Sequence, residues 1–211
     1  MILAAAMDIS TLPDCTVGEK AATASGTRAL QHRACQILQQ YLLSLAKAEK
    51  RLQPRENSLN ISFSHSNVIA AAALCLQQNG RVGIDIELQR NDQSIDHDRI
   101  IARCFSAKEQ QIYAAAADKA GTFFKLWCQK ESLIKYLNSS WSAAASDPHK
   151  YDTVAYSANL HSYTILHYDC SYQAALCCLG QDAAPKYLPL LSYNEILHKF
   201  TVINNCTSCQ A

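Results

Sequence analysis

Two carboxylates placed two residues apart inside the apolar run Val82-Gly83-Ile84-Asp85-Ile86-Glu87 constrain this chain more than any other stretch. On a β-strand, side chains at i and i+2 share a face, so Asp85 and Glu87 point one way while Ile84 and Ile86 point the other and pack. That geometry suits a hard cation. Mg²⁺ takes one or two protein carboxylates and completes its octahedron with water and phosphate oxygens. Gly83 allows a close backbone approach. Taken alone, these six residues fit equally well a strand end with two solvated carboxylates.

The chain around this strand is long enough to bury a core as one domain or two small ones, at 211 residues with 49% apolar and 18% charged residues. Few glycines and prolines exclude a disordered or fibrous class. No apolar run approaches the roughly 18 residues that span a bilayer, and Met1 to Asp8 lacks the cationic start of a signal peptide. The expectation is a cytoplasmic protein with no membrane partner. A net charge of +1 and no basic stripe with interleaved aromatics give no sign of a nucleic-acid partner. The ten cysteines are read as mostly reduced and buried. Cys206 and Cys209 have redox or zinc-ligand spacing and His198 could add a third ligand, but no second pair completes a tetrahedral site, and a frayed tail is the stronger reading.

Along the chain, Leu30, Ala34, Ile37, Leu38, Tyr41, Leu42 and Leu45 recur at helical spacing and predict a helix from Thr27 to about Leu45. Arg28, His32 and Arg33 fall in its first turns, where a helix N-terminus can hold a phosphate; a solvated helix face is the alternative. Ile61 to Ser66 alternates as a half-buried strand, with His65 between two serines. Val68 to Leu76 reads as a buried strand, and Asn79-Gly80 as a tight turn into the Asp85/Glu87 strand, giving a three-segment meander. Gln89 to Asp98 is a polar linker. Ile100 to Ala117 is helical, restarting after Phe105 with Ser106 as N-cap and Glu109 in the capping-box position. In Thr122 to Leu137, the residues Phe123, Trp127, Ile134 and Leu137 follow a helical period, and Glu131 and Lys135 share a face one turn apart. Tyr151 to Ala158, His161 to Tyr168 and Gln173 to Leu179 are expected as strands, and Tyr187 to Leu191 as an appended edge.

The Gly-Ile-Asp-Ile-Glu strand, followed by Trp127, Lys130-Glu131-Ser132 and Lys135, resembles the signature of the 4′-phosphopantetheinyl transferase superfamily. Supporting features are the Phe63-Ser64-His65-Ser66 strand, Arg103-Cys104-Phe105-Ser106 with Glu109, and the late hairpin through Tyr172-Gln173-Ala174-Ala175. The resemblance runs from about Lys20 to Gly180, and the length looks like the larger, Sfp-like monomeric branch. It implies an α+β fold of two similar halves related by a pseudo-two-fold axis, residues 1–90 and 91–211, with the active site at their interface.

The function so implied is Mg²⁺-dependent transfer of the 4′-phosphopantetheine arm of coenzyme A to a serine hydroxyl of an apo acyl or peptidyl carrier protein, releasing adenosine 3′,5′-bisphosphate. By resemblance, Asp85, Glu87 and Glu131 hold the metal, Glu131 is the candidate base, and Lys135 and Lys130 face the phosphates. The 3′-phosphate falls to Lys20, Arg33 and His65, with Arg28 and Ser64 as additions. Arg90, Arg99, Arg103 and Lys108 are the expected basic surface for an acidic carrier. Three stretches depart from the family pattern: Thr23 replaces a cation, Leu52-Gln53-Pro54-Arg55 lacks the usual Lys, and Asn138-Ser139-Ser140 stands where Gly-Lys-Gly is common. The alternative is a catalytically degenerate module of the same fold that binds coenzyme A or a carrier protein.

Overall fold

Four layers, helix on sheet on sheet on helix, follow from how the strands alternate. The computed structural model describes residues 2–13, 24–48, 60–77, 79–90, 96–178, 185 and 188–199. In chain order the elements are β1 (Ile2–Asp8), α1 (Ala24–Ala48), β2 (Asn60–Ser66), β3 (Ile69–Cys75) and β4 (Val82–Leu88). Then come α2 (His97–Cys104), α3 (Ala107–Ala115), α4 (Lys119–Tyr136) and α5 (Trp141–Ser146). The strands β5 (Leu160–His167), β6 (Cys170–Cys178) and β7 (Leu190–Leu191) follow, and residues 193–199 form a last helix, α6.

One sheet has the order β2-β3-β1-β7 and the other β4-β6-β5. Ile2, Ala4 and Ala6 of β1 and the odd-numbered residues of β3 pack against Val82, Ile84 and Ile86 of β4 and Tyr172, Ala174, Leu176 and Cys178 of β6 to form the core between the sheets. The opposite face of the first sheet, with Ala5, Met7, Ala70, Ala72 and Leu74, is covered by Leu38, Tyr41 and Leu42 of α1. On the outer side of the second sheet lies α4, whose Leu133 and Ile134 pack with Cys177.

The structure corrects the sequence reading at three places. The meander does not continue into a third strand: β2 and β3 pair, whereas β4 pairs antiparallel with β6 in the second sheet. The strand expected over Tyr151–Ala158 is a run of turns ending in a 3₁₀ turn at Ser157–Asn159. Its polar groups bond inward instead of forming a ladder: Thr153 donates N–H and Oγ to Glu109, and the Asp152 carbonyl accepts from Ala155 and Tyr156. Residues 2–8 form β1, flanked by β3 and β7 in the first sheet, a strand the alanine-rich sequence did not announce. As the capping box implied, α2 stops at Phe105 and α3 restarts from Ser106, with both reciprocal bonds to Glu109 present.

Although β2 and β4 lie in different sheets, their edges run side by side, and side chains join them. Asn60 Oδ1 accepts from the Val82 N–H at 3.0 Å, Ser62 Oγ from Ile84 at 3.1 Å and Ser66 Oγ from Leu88 at 3.0 Å. Three of the polar residues of β2 thus take the outer amides of Val82, Ile84 and Leu88. Ser62 and Ser66 are accordingly buried.

Candidate active site

Tight packing of α4 on β4 brings the two charged motifs together. A Cβ built on Gly83 would lie 1.9 Å from the Ser132 carbonyl oxygen and 2.6 Å from the Tyr136 nitrogen, so only a residue without a side chain admits this helix at this depth. Gly83, Asp85 and Glu87 share the face turned to α4, and the helix turns Glu131 and Lys135, one turn apart, back toward them.

The side chains meet at short range. Lys135 Nζ donates to Asp85 Oδ1 at 2.8 Å and to the Ile84 carbonyl at 3.0 Å, and lies 3.7 Å from Glu131 Oε2. From β2, Ser64 Oγ donates to Asp85 Oδ1 at 2.7 Å, breaking the pattern of its neighbours, and Ser66 Oγ donates to Glu87 Oε2 at 2.8 Å. Trp141, at the start of α5, donates its indole N–H to Glu131 Oε1 at 3.0 Å. Asp85 is 1% exposed, and its Oδ2 is buried with no hydrogen-bond partner.

This crowding sets the electrostatics. Burial pushes Glu87 up to about 7; the Ser66 hydroxyl opposes the shift, and repulsion from Asp85 and Glu131 adds to it. Glu131 is raised by burial and by Asp85, against the pull of Lys135 and Trp141. Beneath them Cys128, buried and donating to the Gln173 carbonyl, is held well above the usual thiol value by burial and by the carboxylates. A divalent cation would relieve the repulsion among these carboxylates and satisfy the orphaned Oδ2. Among the described residues no three His, Cys, Asp or Glu side chains are drawn together into a ready-made cage. Lys135 occupies the ground between Asp85 and Glu131.

Asp85, Glu87, Glu131 and Lys135 line one wall of a cavity of about 590 Å³. Arg28, His32, Cys35, Gln36 and Gln39 of α1 line the other, with Phe63, Ser64 and His65 of β2 between. Burial lowers His65 from the ordinary histidine value, with Lys135 and Arg28 contributing in the same direction. The cavity therefore has an acidic floor, faced by the Arg28 guanidinium and two imidazoles.

Residues 81–175 match the family model described as the 4′-phosphopantetheinyl transferase superfamily. Over that stretch, a little under half of the chain, the protein is similar to this superfamily. No curated protein matches the chain.

In the matched stretch and the walls around it, Asp85, Glu87, Glu131, Lys135, Ser64, His65 and Arg28 all line the one cavity. Arg33, exposed on α1, does not line it, and Lys20 lies outside the described residues, as do Cys206 and Cys209. Lys130 is placed elsewhere. It is 0% exposed, donates to Glu109 Oε2 at 2.7 Å and to the Tyr151 carbonyl at 2.8 Å, and sits over the Phe105 ring. One residue before Glu131, it points away from the cavity and joins three segments inside the protein, so it does not stand with Lys135 as expected. Ser66, Trp141, Gln36 and Gln39 were not singled out from the sequence. Ser66 could have been, lying two residues from Ser64 on the same strand face; nothing in the sequence ties Trp141 to Glu131.

Among the described residues no helix is long and apolar enough to cross a membrane.

Proposed function

We propose that the chain transfers the 4′-phosphopantetheine arm of coenzyme A to a serine hydroxyl of an apo acyl or peptidyl carrier protein and releases adenosine 3′,5′-bisphosphate. The observation that carries this reading is the convergence of Asp85, Glu87, Glu131 and Lys135 in one cavity whose far wall bears Arg28 and His32, with His65 between. A carboxylate floor faced by Arg28 and two imidazoles suits a ligand bearing a pyrophosphate at one end and a terminal phosphate at the other.

Asp85, Glu87 and Glu131 are the residues that would hold Mg²⁺. The unpartnered Oδ2 of Asp85 and the raised carboxyls fit a cation. Mg²⁺ needs only one or two protein carboxylates, because water and phosphate supply the rest. When bound, it would neutralise the pyrophosphate and stabilise the charge that develops on the leaving oxygen.

The protein's own groups do the remaining work. Lys135 is a point charge that can move from Asp85 to a phosphate oxygen. On this reading Arg28 and His65 hold the 3′-phosphate, with His32 beside them. Glu131 takes the proton from the carrier serine. The serine oxygen then bonds to the phosphorus that bears the pantetheine arm, and the bond from that phosphorus to the bridging oxygen breaks. The electron pair leaves on adenosine 3′,5′-bisphosphate.

On this reading residues 1–90 and 91–211 are two related halves, each a sheet backed by a long helix, acting as a monomer in the cytoplasm. The strand β4 belongs to the first half by sequence and to the second by pairing. The test is intact mass spectrometry of apo carrier proteins incubated with the chain, coenzyme A and Mg²⁺, with and without chelator. Gain of one phosphopantetheine arm that the chelator prevents is the expected result. Coenzyme A binding with no gain on any carrier would overturn the reading in favour of a degenerate binding module.

A further inference from the structure

The carboxylate that the proposed chemistry relies on most is held by a residue outside the motif. Trp141 Nε1 lies 3.0 Å from Glu131 Oε1. An indole N–H can only donate, so it pairs best with an ionised carboxylate. With Oε1 occupied, Oε2 is the oxygen left beside Lys135, at 3.7 Å.

The chain delivers Trp141 to this place by a sharp reversal. At the end of α4, Asn138 takes a left-handed conformation with φ of 52° and its N–H donates to the Lys135 carbonyl, while the Ser139 N–H donates to the Ile134 carbonyl. Ser140 then caps α5, accepting from Ala143, and Trp141 begins the new helix lying back over α4. This is the stretch where the Gly-Lys-Gly of the family pattern is missing.

A stack of rings fixes the indole. Trp141 packs on Trp127 with centroids 4.4 Å apart and planes 21° apart; Trp127 packs on Phe123 at 5.8 Å, and Phe123 on His97 at 3.9 Å. Phe123, Trp127 and Glu131 are spaced four apart along one face of α4, so the stack leads to the carboxylate. Because the ring cannot swing without breaking its contact with Trp127, the donor has one direction.

We propose that Trp141 is a positioning residue for Glu131: it holds Oε1 so that Oε2 faces the cavity for the metal and the serine proton. The inference rests on the reading of Glu131 given above. It does not make Trp141 a catalytic residue, since the indole lines no part of the cavity.

The experiment compares Trp141→Phe, Trp127→Phe and Glu131→Ala. Mn²⁺ binding without coenzyme A is followed by electron paramagnetic resonance, and transfer is measured against Mg²⁺ concentration. Trp141→Phe keeps an aromatic ring on Trp127 and removes only the donor. It should weaken Mn²⁺ binding and slow transfer by about 10- to 100-fold, the usual effect of losing a hydrogen bond to a metal ligand, with the KM for coenzyme A unchanged. Trp127→Phe, which keeps the donor, should weaken Mn²⁺ binding less. Mn²⁺ affinity and transfer in Trp141→Phe equal to those of the unsubstituted protein would overturn the proposal. If Trp141→Phe fails to fold, the Trp127→Phe protein, with Trp141 as its sole tryptophan, supplies the answer. Its emission should change on adding Mg²⁺, and Glu131→Ala should remove the response; an emission indifferent to Mg²⁺ would overturn the proposal. Absence of transfer in the unsubstituted protein would instead remove the reading of Glu131 on which it rests.

Discussion

Replacing Gly83 by alanine adds one methyl group where there is no room for it. The new Cβ would lie 1.9 Å from the Ser132 carbonyl and 2.6 Å from the Tyr136 nitrogen, both backbone atoms of α4 that no rotamer change can move aside. Restoring van der Waals contact requires the helix and strand to separate by about 1.5 Å, and forced repacking on that scale costs about 1–3 kcal/mol. The loss of unfolded-chain entropy on Gly→Ala gives back about 0.4–1 kcal/mol, so a net loss of stability remains. The effect on chemistry is larger. Asp85 is two residues along the strand, and Glu131 and Lys135 flank the contact, so the separation falls between the groups that must converge. A misplacement of about 1 Å can cost on the order of 100-fold in rate. Urea unfolding would measure the first effect, and transfer by mass spectrometry at a temperature where the variant is folded would measure the second. A Gly83→Ala protein with unaltered stability and transfer rate would refute the claim that this close approach builds the site.

Asp85→Ala and Glu131→Ala should each abolish measurable transfer while circular dichroism stays unchanged; loss of a general base alone costs about 100- to 10,000-fold, and retained transfer in either variant would remove the metal-and-base assignment. Lys130→Met should act the other way round, costing about 3–5 kcal/mol in urea unfolding because it leaves the Glu109 carboxylate buried without its cation, while the folded fraction still transfers; unaltered stability would refute the structural role. Glu87, pushed up to about 7 from 4.5, keeps in the folded chain a proton that the unfolded chain has already released. Without divalent metal, stability should therefore fall as pH rises through that window. Glu87→Gln should flatten this part of the stability–pH curve; a Glu87→Gln curve that falls as steeply as the original would count against it.

What could be read from the sequence was whatever a local period or cap encodes. The helical spacing from Leu30 to Leu45 anticipates α1, the Ser106/Glu109 pair locates the break between α2 and α3, and the i, i+2 carboxylates place Asp85 and Glu87 on one strand face. Spacing could not tell which sheet β4 joins, because pairing with β6 is a contact between residues some ninety positions apart. Composition misled at β1, where Ala4, Ala5 and Ala6 carry little strand propensity yet are buried, Ala4 and Ala6 in the core between the sheets and Ala5 beneath α1. At Lys130 the motif gave the residue type but not its direction. Adjacent helix positions point about 100° apart, so the lysine beside Glu131 turns into the interior and meets Glu109.

The row of side chains along β4 also limits how a substrate can approach. An open strand edge invites an incoming peptide to pair with it, but here the amides of Val82, Ile84 and Leu88 are already taken by Asn60, Ser62 and Ser66. The edge of β4 is thus closed to such pairing at these three positions. On the reading proposed above, a protein presenting a hydroxyl to Glu131 would bring it as a projecting side chain, since an extended segment that tried to lie along the strand would find no unused donor there.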